Sequence, residues 1–233
     1  MRIAKTIFIK QAKETFKSPM VLVQFILFPV VALIFTELIA KSDDFVGMPV
    51  NMFVVMMASV FAGMGLIMVA SGIIAEDIEK KSLRFLVMAG VKPHQYLCGT
   101  GGFLLMLGAI TALAFALIGV FTTTEFIKML IVLIACVANS IVLGAIIGIL
   151  SKNQQSATSL GMPAAVILGF TPMIANFNET VYNGSKFLYT QQLNIVTNDF
   201  NEDFGKAMLV IAINFVVLAI LFTIAYKKRG LRG

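Results

Sequence analysis

Six long apolar stretches separated by short polar gaps run through the whole chain. They are Met20–Ala40, Met52–Ala75, Tyr96–Phe121, Phe126–Leu150, Ala157–Phe177 and Met208–Tyr226. A hydrocarbon core of about 30 Å needs roughly 20 apolar residues in a helix, and a backbone in lipid must satisfy its own hydrogen bonds. The pattern therefore predicts an all-α fold, a polytopic membrane protein with six transmembrane helices.

The composition leaves no room for a soluble domain. The chain has 233 residues, of which 59% are hydrophobic and 13% are charged, whereas soluble domains carry about 25% charged residues. The longest polar gaps hold roughly 20–30 residues, too few to bury a core of their own. We expect one transmembrane domain over residues 1–233, without a catalytic or nucleotide-binding domain.

The net charge of +6 follows from the distribution of the basic residues between alternate gaps. Fourteen of the 18 Lys and Arg residues lie in the gaps on the same side as the two termini. The other four are Lys41, Lys128, Lys186 and Lys206. The positive-inside rule then predicts cytoplasmic termini in a plasma membrane, and we expect a bacterial protein. Because topology accounts for the basicity, the charge does not indicate nucleic-acid binding.

Residues 1–18 have the pattern of an amphipathic helix. One face is basic and carries Lys10, Lys13 and Lys17. Another face is apolar and carries Phe8, Ala12 and Phe16. Such a helix just before a span favours a location in the plane of the membrane interface. The alternative is a simple cytoplasmic extension of the first span. Ser18 and Pro19 are expected to separate the helix from that span.

Three further patterns concern the later spans. Small residues at four-residue spacing, Ser140, Gly144 and Gly148, predict a close helix contact with an unidentified partner. Pro163 and Pro172 predict a bent or broken fifth span. The gap at residues 178–205 is too apolar for a solvated loop, so we expect short extracellular helices that dip into the outer leaflet or cap a cavity.

The gap between the second and third stretches has the most distinctive pattern. Acidic residues come first, at Glu76, Asp77 and Glu79, and basic residues follow. That order stabilises a helix through its dipole, so we expect one helix over residues 76–89. Its apolar residues, Leu83, Phe85, Leu86 and Met88, are typical of a surface that docks on a partner.

This segment resembles the coupling-helix region of type-2 ABC exporter permeases. The resemblance lies in Glu76-x-x-Glu79-Lys80-Lys81-Ser82-Leu83-x-Phe85-Leu86, then Val91-Lys92-Pro93-x-x-Tyr96-Leu97-x-Gly99. The six spans, the cytoplasmic termini, the in-plane helix and the apolar connection before the last span extend it over the whole chain. Lys81-Ser82 stands where that family commonly has Gly-Thr, and Gly90–Pro93 replaces its usual turn.

The resemblance implies two partners and two groups of functional residues. A separate ATP-binding cassette ATPase subunit would receive the coupling segment, through Glu76, Ile78, Glu79, Leu83, Phe85 and Leu86. A second permease copy or a paralogue would enclose a path lined by spans 2 and 5, with Met56, Met57, Met64, Phe170 and Asn176 as candidates. The expected cargo is an amphipathic or hydrophobic peptide, lipid or drug.

The chain contains no G-x-x-x-x-G-K-[ST] sequence, so we expect ATP hydrolysis on another polypeptide. The sequence predicts no catalytic, cofactor or metal site. An ion-coupled transporter or channel is an alternative, although such proteins need ionisable groups inside the membrane and Glu37 lies near the end of its stretch. A membrane enzyme is disfavoured, since His94 stands alone in a loop. A non-transporting assembly or immunity subunit stays open.

Overall fold

The computed structural model describes residues 2–40, 51–198, 200 and 203–230. Helices account for every regular element of this part of the chain. They are α1 (Arg2–Lys17), α2 (Pro19–Ala40), α3 (Met52–Glu79), α4 (Ser82–Met88), α5 (Pro93–Ile118), α6 (Thr123–Leu150), α7 (Gln154–Ala175), α8 (Glu179–Ser185), α9 (Tyr189–Asn198) and α10 (Phe204–Gly230). The all-α prediction is confirmed.

Six of the helices that the structure describes, α2, α3, α5, α6, α7 and α10, are long and apolar enough to cross a membrane. This matches the six apolar stretches and fits a multi-pass membrane protein. The helices overrun those stretches at some ends. The third helix reaches Glu79, four residues beyond its apolar stretch, because a helix can continue past the lipid wherever protein contacts support it.

The helices α3 and α6 form the centre of the bundle. In α3, 72% of the apolar segment is buried, compared with 22% in α2 and 17% in α10. A Cβ atom added at Gly144 would lie 2.7 Å from the Ala70 Cβ, and one added at Gly148 would lie 2.8 Å from the Ile74 Cβ. The close contact predicted from the small residues of α6 is thus confirmed, with α3 as the partner.

The helices α3 and α7 also touch through their backbones. A Cβ atom added at Gly63 would lie 2.5 Å from the Gly169 nitrogen, and Gly63 lies in a π-helical turn, Phe61–Gly65, within α3. Pro163 and Pro172 lie inside α7, which is one continuous helix. The possibility of a broken span is therefore wrong: each proline removes one backbone donor, and the neighbouring helices hold the remaining turns together.

The first helix, α1, lies across the start of α5. Its buried face carries Ile7, Gln11 and Thr15. A Cβ atom added at Gly99, in a second π-helical turn, would lie 2.6 Å from the Ile7 Cβ. On the predicted apolar face, Phe16 is exposed, and the rings of Phe8 and Phe16 make edge contacts with the ring of Phe103 in α5. This helix has a protein-facing side next to its apolar side.

Two short helices, α8 and α9, fill the gap before α10, as the sequence predicted. The Tyr189 carbonyl accepts a hydrogen bond from the Cys136 Sγ at 3.1 Å, and the Tyr189 hydroxyl lies 2.8 Å from the Ser140 Oγ. Cys136 is about 20 Å along α6 at 1.5 Å per residue. The connection therefore re-enters the helix bundle.

Candidate functional site

The segment between α3 and α5 is divided into two helices. The third helix continues to Glu79, Lys80 and Lys81 form a turn, and α4 begins at Ser82. Lys81 has a φ of 59°, in the left-handed region. The expected single helix over residues 76–89 is therefore wrong. The acidic residues end α3 instead of starting a helix, so the helix dipole does not stabilise them.

Asp77 joins four elements at this end of the bundle, which we call the basic end. Its Oδ1 accepts hydrogen bonds from the Lys10 Nζ at 2.7 Å and from the Ser82 Oγ at 2.6 Å. Its Oδ2 accepts one from the Tyr96 hydroxyl at 2.8 Å. These donors belong to α1, α4 and α5. One carboxylate thus ties the start of α4 to three other helices.

Asp77 and its hydrogen-bond partner Tyr96 lie in a buried part of the bundle. Asp77 is 6% exposed and Tyr96 is fully buried. The Tyr96 ring also lies 5.8 Å from the Tyr226 ring of α10, and the Tyr226 hydroxyl donates to the Val91 carbonyl at 3.1 Å. Charge-assisted hydrogen bonds in such settings are about twice as strong as neutral ones. We call Lys10, Asp77, Ser82 and Tyr96 the Asp77 cluster.

The charge of Lys10 is stabilised by this arrangement. Burial lowers the pKa of the Lys10 ammonium, but the hydrogen bond and the charge of Asp77 outweigh that effect, with a smaller contribution from Glu14. The net result is a pKa above the usual 10.5. A raised pKa in the folded state means that the ion pair adds stability below pH 10.5 and loses it as the pH rises through the raised value.

This linkage predicts a pH-dependent effect of Lys10→Met. Below pH 10.5 we expect the variant to melt at a lower temperature than the wild type, because Asp77 loses its charged partner. The difference should shrink as the pH rises from 10.5 through the raised folded-state pKa, where the wild-type ammonium also loses its proton. Melting curves in detergent at about pH 8 and pH 11.5 measure this. A difference that is equal at both pH values would contradict the pairing.

Three of the predicted docking residues lie around the end of α3. Glu76 is half-buried and pairs with Lys80. The hydrogen bond to Glu76 is the main reason that the pKa of the Lys80 ammonium is raised. Glu79 is exposed, and its carboxylate accepts a hydrogen bond from the Gln154 backbone N–H at 3.3 Å. Ile78 packs against an apolar cluster at this end. Glu79 therefore connects α3 to the start of α7.

The other three predicted docking residues lie on α4, on opposite faces. Leu83 is 5% exposed, and Leu86 packs beside it on the same apolar cluster. Phe85 is 67% exposed and Met88 is 74% exposed. The exposed face also carries Arg84, and Lys81 lies exposed in the turn before it. The α4 patch, as we name it, consists of Lys81, Arg84, Phe85 and Met88. Leu83 anchors α4, and the apolar residues of the α4 patch that a partner could contact are Phe85 and Met88.

The predicted path residues do not share one surface. Met56 is 3% exposed and lies inside the bundle, so it cannot line a path between subunits in this conformation. Met57 packs on the main core. Met64 lies on the α3–α7 contact, its Cβ 3.1 Å from where a Gly169 Cβ would be. Phe170 is exposed on α7, and Asn176 is exposed directly after the end of that helix. Of the five, only Phe170 and Asn176 are exposed.

The sequence interpretation missed the role of Asp77 and the participation of Lys10. One signal was available: Asp77 lies three residues after Ile74 and seven after Ala70, on the buried face of α3. A carboxylate on such a face requires polar partners. No known protein-family model matches this sequence, and no curated protein is significantly similar to it.

Proposed function

We propose that the chain is the membrane permease subunit of an ATP-driven exporter. The observation that carries this proposal is an exposed apolar helix, α4, held firmly to the bundle. Phe85 and Met88 are exposed, whereas the first turn of the same helix is fixed by Asp77 and Leu83. Large exposed apolar side chains beside cationic ones are typical of a surface that binds another protein.

The proposed partner is a separate ATP-binding cassette ATPase on the cytoplasmic side. ATP binding would draw two such subunits together and displace the α4 patch. Ser82 and Asp77 are hydrogen-bonded, so a displacement of α4 would reach α3 directly. It would reach α1 and α5 through Lys10 and Tyr96. The Asp77 cluster would thus distribute the force among four helices.

The third helix would carry the movement across the membrane. It has 28 residues, which corresponds to about 42 Å at 1.5 Å per residue. Its backbone touches α7 at Gly63 and Gly169, so α7 would move with it. The exposed apolar residues of α7, such as Ile167 and Phe170, would face a second permease copy or a paralogue. An amphipathic or hydrophobic cargo would pass between them.

The direct test is loss of the ATPase from a purified complex. The full chain is co-expressed with the ATP-binding cassette protein encoded nearest to its gene, and a tag on the chain is used for purification. We expect Phe85→Glu with Met88→Glu to reduce the recovered ATPase at least about tenfold, because interface centres of this kind contribute 2 kcal/mol or more. Both side chains are exposed, so the fold should be unaffected.

The matched control is His94→Glu, an exposed residue of α5 at the same end of the bundle. It adds a negative charge outside the α4 patch and should leave ATPase recovery unchanged. Melting temperatures in detergent show whether each variant is folded. If the double variant is folded and still recovers the ATPase like the control, the docking role of α4 is wrong.

A further inference from the structure

A polar cavity of about 460 Å³ lies at the end of the bundle opposite the Asp77 cluster. Its lining comes from the start of α3, the end of α7 and the helix α9. The described residues that line it are Asn51, Met52, Val55, Asn176, Asn194, Thr197 and Asn198. Four of these seven are asparagines, and all seven are uncharged. The cavity is therefore rich in neutral groups that both donate and accept hydrogen bonds.

The wall of the cavity is held in place by Asn194. This residue is 3% exposed. Its Nδ2 donates to the Asn176 Oδ1 at 2.6 Å and to the Pro172 carbonyl at 3.1 Å. Asn194 therefore fixes α9 against the end of α7, and it positions the Asn176 amide at the cavity.

A second polar side chain, on the same helix as Asn194, lacks hydrogen-bond partners. Gln191 is fully buried, and neither its Nε2 nor its Oε1 has a hydrogen-bond partner within the part of the chain that the structure describes. Buried polar groups that are left unpaired destabilise the folded state. Gln191 precedes Asn194 by three residues and Asn198 by seven, so the three side chains share one face of α9. Two of the three line the cavity.

We propose that this cavity binds an uncharged amide group carried by an amphipathic molecule. An amide offers one acceptor and up to two donors, and the same inventory is repeated by the Asn side chains around the cavity and by Gln191. Met52 and Val55 supply an apolar contact for the rest of the molecule. An ionic head group would be desolvated without a charged partner among these lining residues.

This inference rests on the proposed function in one respect only, namely that the bound molecule is the exported cargo. Binding itself requires neither the ATPase nor ATP. The site would lie at the outer end of α3 and would meet the cargo late in export. Gln191 lies one helical turn before Asn194 on α9 and does not line the cavity, so a substituted amide would complete its hydrogen bonds only after a shift of α9.

The test is direct binding to the purified full chain in lipid nanodiscs. The probe is radiolabelled dodecanoyl-Ala-Gln-amide, with binding to empty nanodiscs subtracted. Dodecanoate and dodecyltrimethylammonium provide an anion and a cation with the same alkyl length. We expect saturable binding of the amide probe, and binding of either ion at least about tenfold weaker, as expected for an uncompensated charge.

Two variants test which residues are involved. Gln191→Leu and Asn198→Leu should each weaken amide binding about tenfold, the loss expected for one or two hydrogen bonds. Gln191→Leu removes unpaired buried groups, so its melting temperature should not fall. The matched control, Asn183→Leu, changes an exposed asparagine of α8 that does not line the cavity. It should bind the probe like the wild type.

Several outcomes would overturn this inference. They are equal binding of the amide and the ions, unchanged affinity in both α9 variants, and absence of saturable binding. Absence of saturable binding would mean that the cavity holds solvent only, equal binding of the ions would mean that it does not recognise an amide, and unchanged affinity in the variants would mean that the probe binds elsewhere. The result is independent of the docking test, because probe binding can fail while the α4 patch still recovers the ATPase. Conversely, the probe can bind although no ATPase is recovered.

Discussion

Adding one methyl group at Gly63 is expected to force α3 and α7 apart. The new Cβ atom would lie 2.5 Å from the Gly169 nitrogen and 2.6 Å from its Cα. These are backbone atoms within a helix and cannot turn aside as a side chain would. Overpacking of cores usually costs 1–3 kcal/mol, and we expect Gly63→Ala to destabilise the protein by about 3 kcal/mol or more. Denaturation with increasing SDS in mixed micelles measures this.

The same helix provides the control. Gly72 lies in α3, and a Cβ atom added there would meet nothing within 4 Å. Replacement of a helical glycine by alanine is favourable by about 0.5–1 kcal/mol when space permits. Gly72→Ala should therefore unfold at the same or a higher SDS fraction than the wild type. If the two variants unfold alike, α3 and α7 are not in backbone contact.

Replacing Asp77 by alanine should disrupt the basic end of the bundle. The fully buried Tyr96 hydroxyl would lose its acceptor, and Ser82 and Lys10 would lose theirs. Unpaired buried groups cost about 1–3 kcal/mol each. Because Lys10 is partly exposed, its share is small, and we expect a total loss of about 2–4 kcal/mol. The SDS denaturation midpoint gives the stability of the variant.

Glu76→Gln is the matched control for Asp77→Ala. It removes a carboxylate one residue away, whose partner Lys80 is exposed. Exposed pairs at this helical spacing contribute only about 0.3–0.5 kcal/mol. Under the proposed function, the Asp77→Asn variant should still bind the ATPase, because the α4 patch is unchanged. It should transport less cargo per ATP hydrolysed, because the link from α4 to α3 is weakened. Equal stability of the Glu76 and Asp77 variants would refute the cluster.

The two ends of α3 have complementary roles in this proposal. Asp77 lies near one end and Met52, in the cavity lining, begins the other. Between them the π-helical turn Phe61–Gly65 interrupts the regular helix. Turns of this type occur frequently at functional sites, and here the turn coincides with the backbone contact to α7 at Gly63. A displacement at the basic end would therefore reach both α7 and the amide-rich cavity.

Local hydrophobic patterns predicted the elements but not all of their boundaries. The length of each apolar stretch was enough to identify six spans. The apolar side chains between residues 178 and 205 correctly indicated the short helices α8 and α9. The acidic run at Glu76–Glu79 was misinterpreted, because charge order is compatible with a helix start as well as a helix end. The choice depends on Asp77, whose burial against α5 extends α3.

The sequence by itself determined the helical fold, the number of spans and the existence of an apolar segment after the second span. Each of these depends on residues that are close together in the chain. Only the tertiary structure decided that Leu83 is buried and Phe85 exposed, and that Asp77 binds Lys10, which is 67 positions away. The same holds for the burial of Gln191, which lies in the connection between α7 and α10. Hydropathy records how polar a residue is, whereas partners and burial depend on which helices become neighbours.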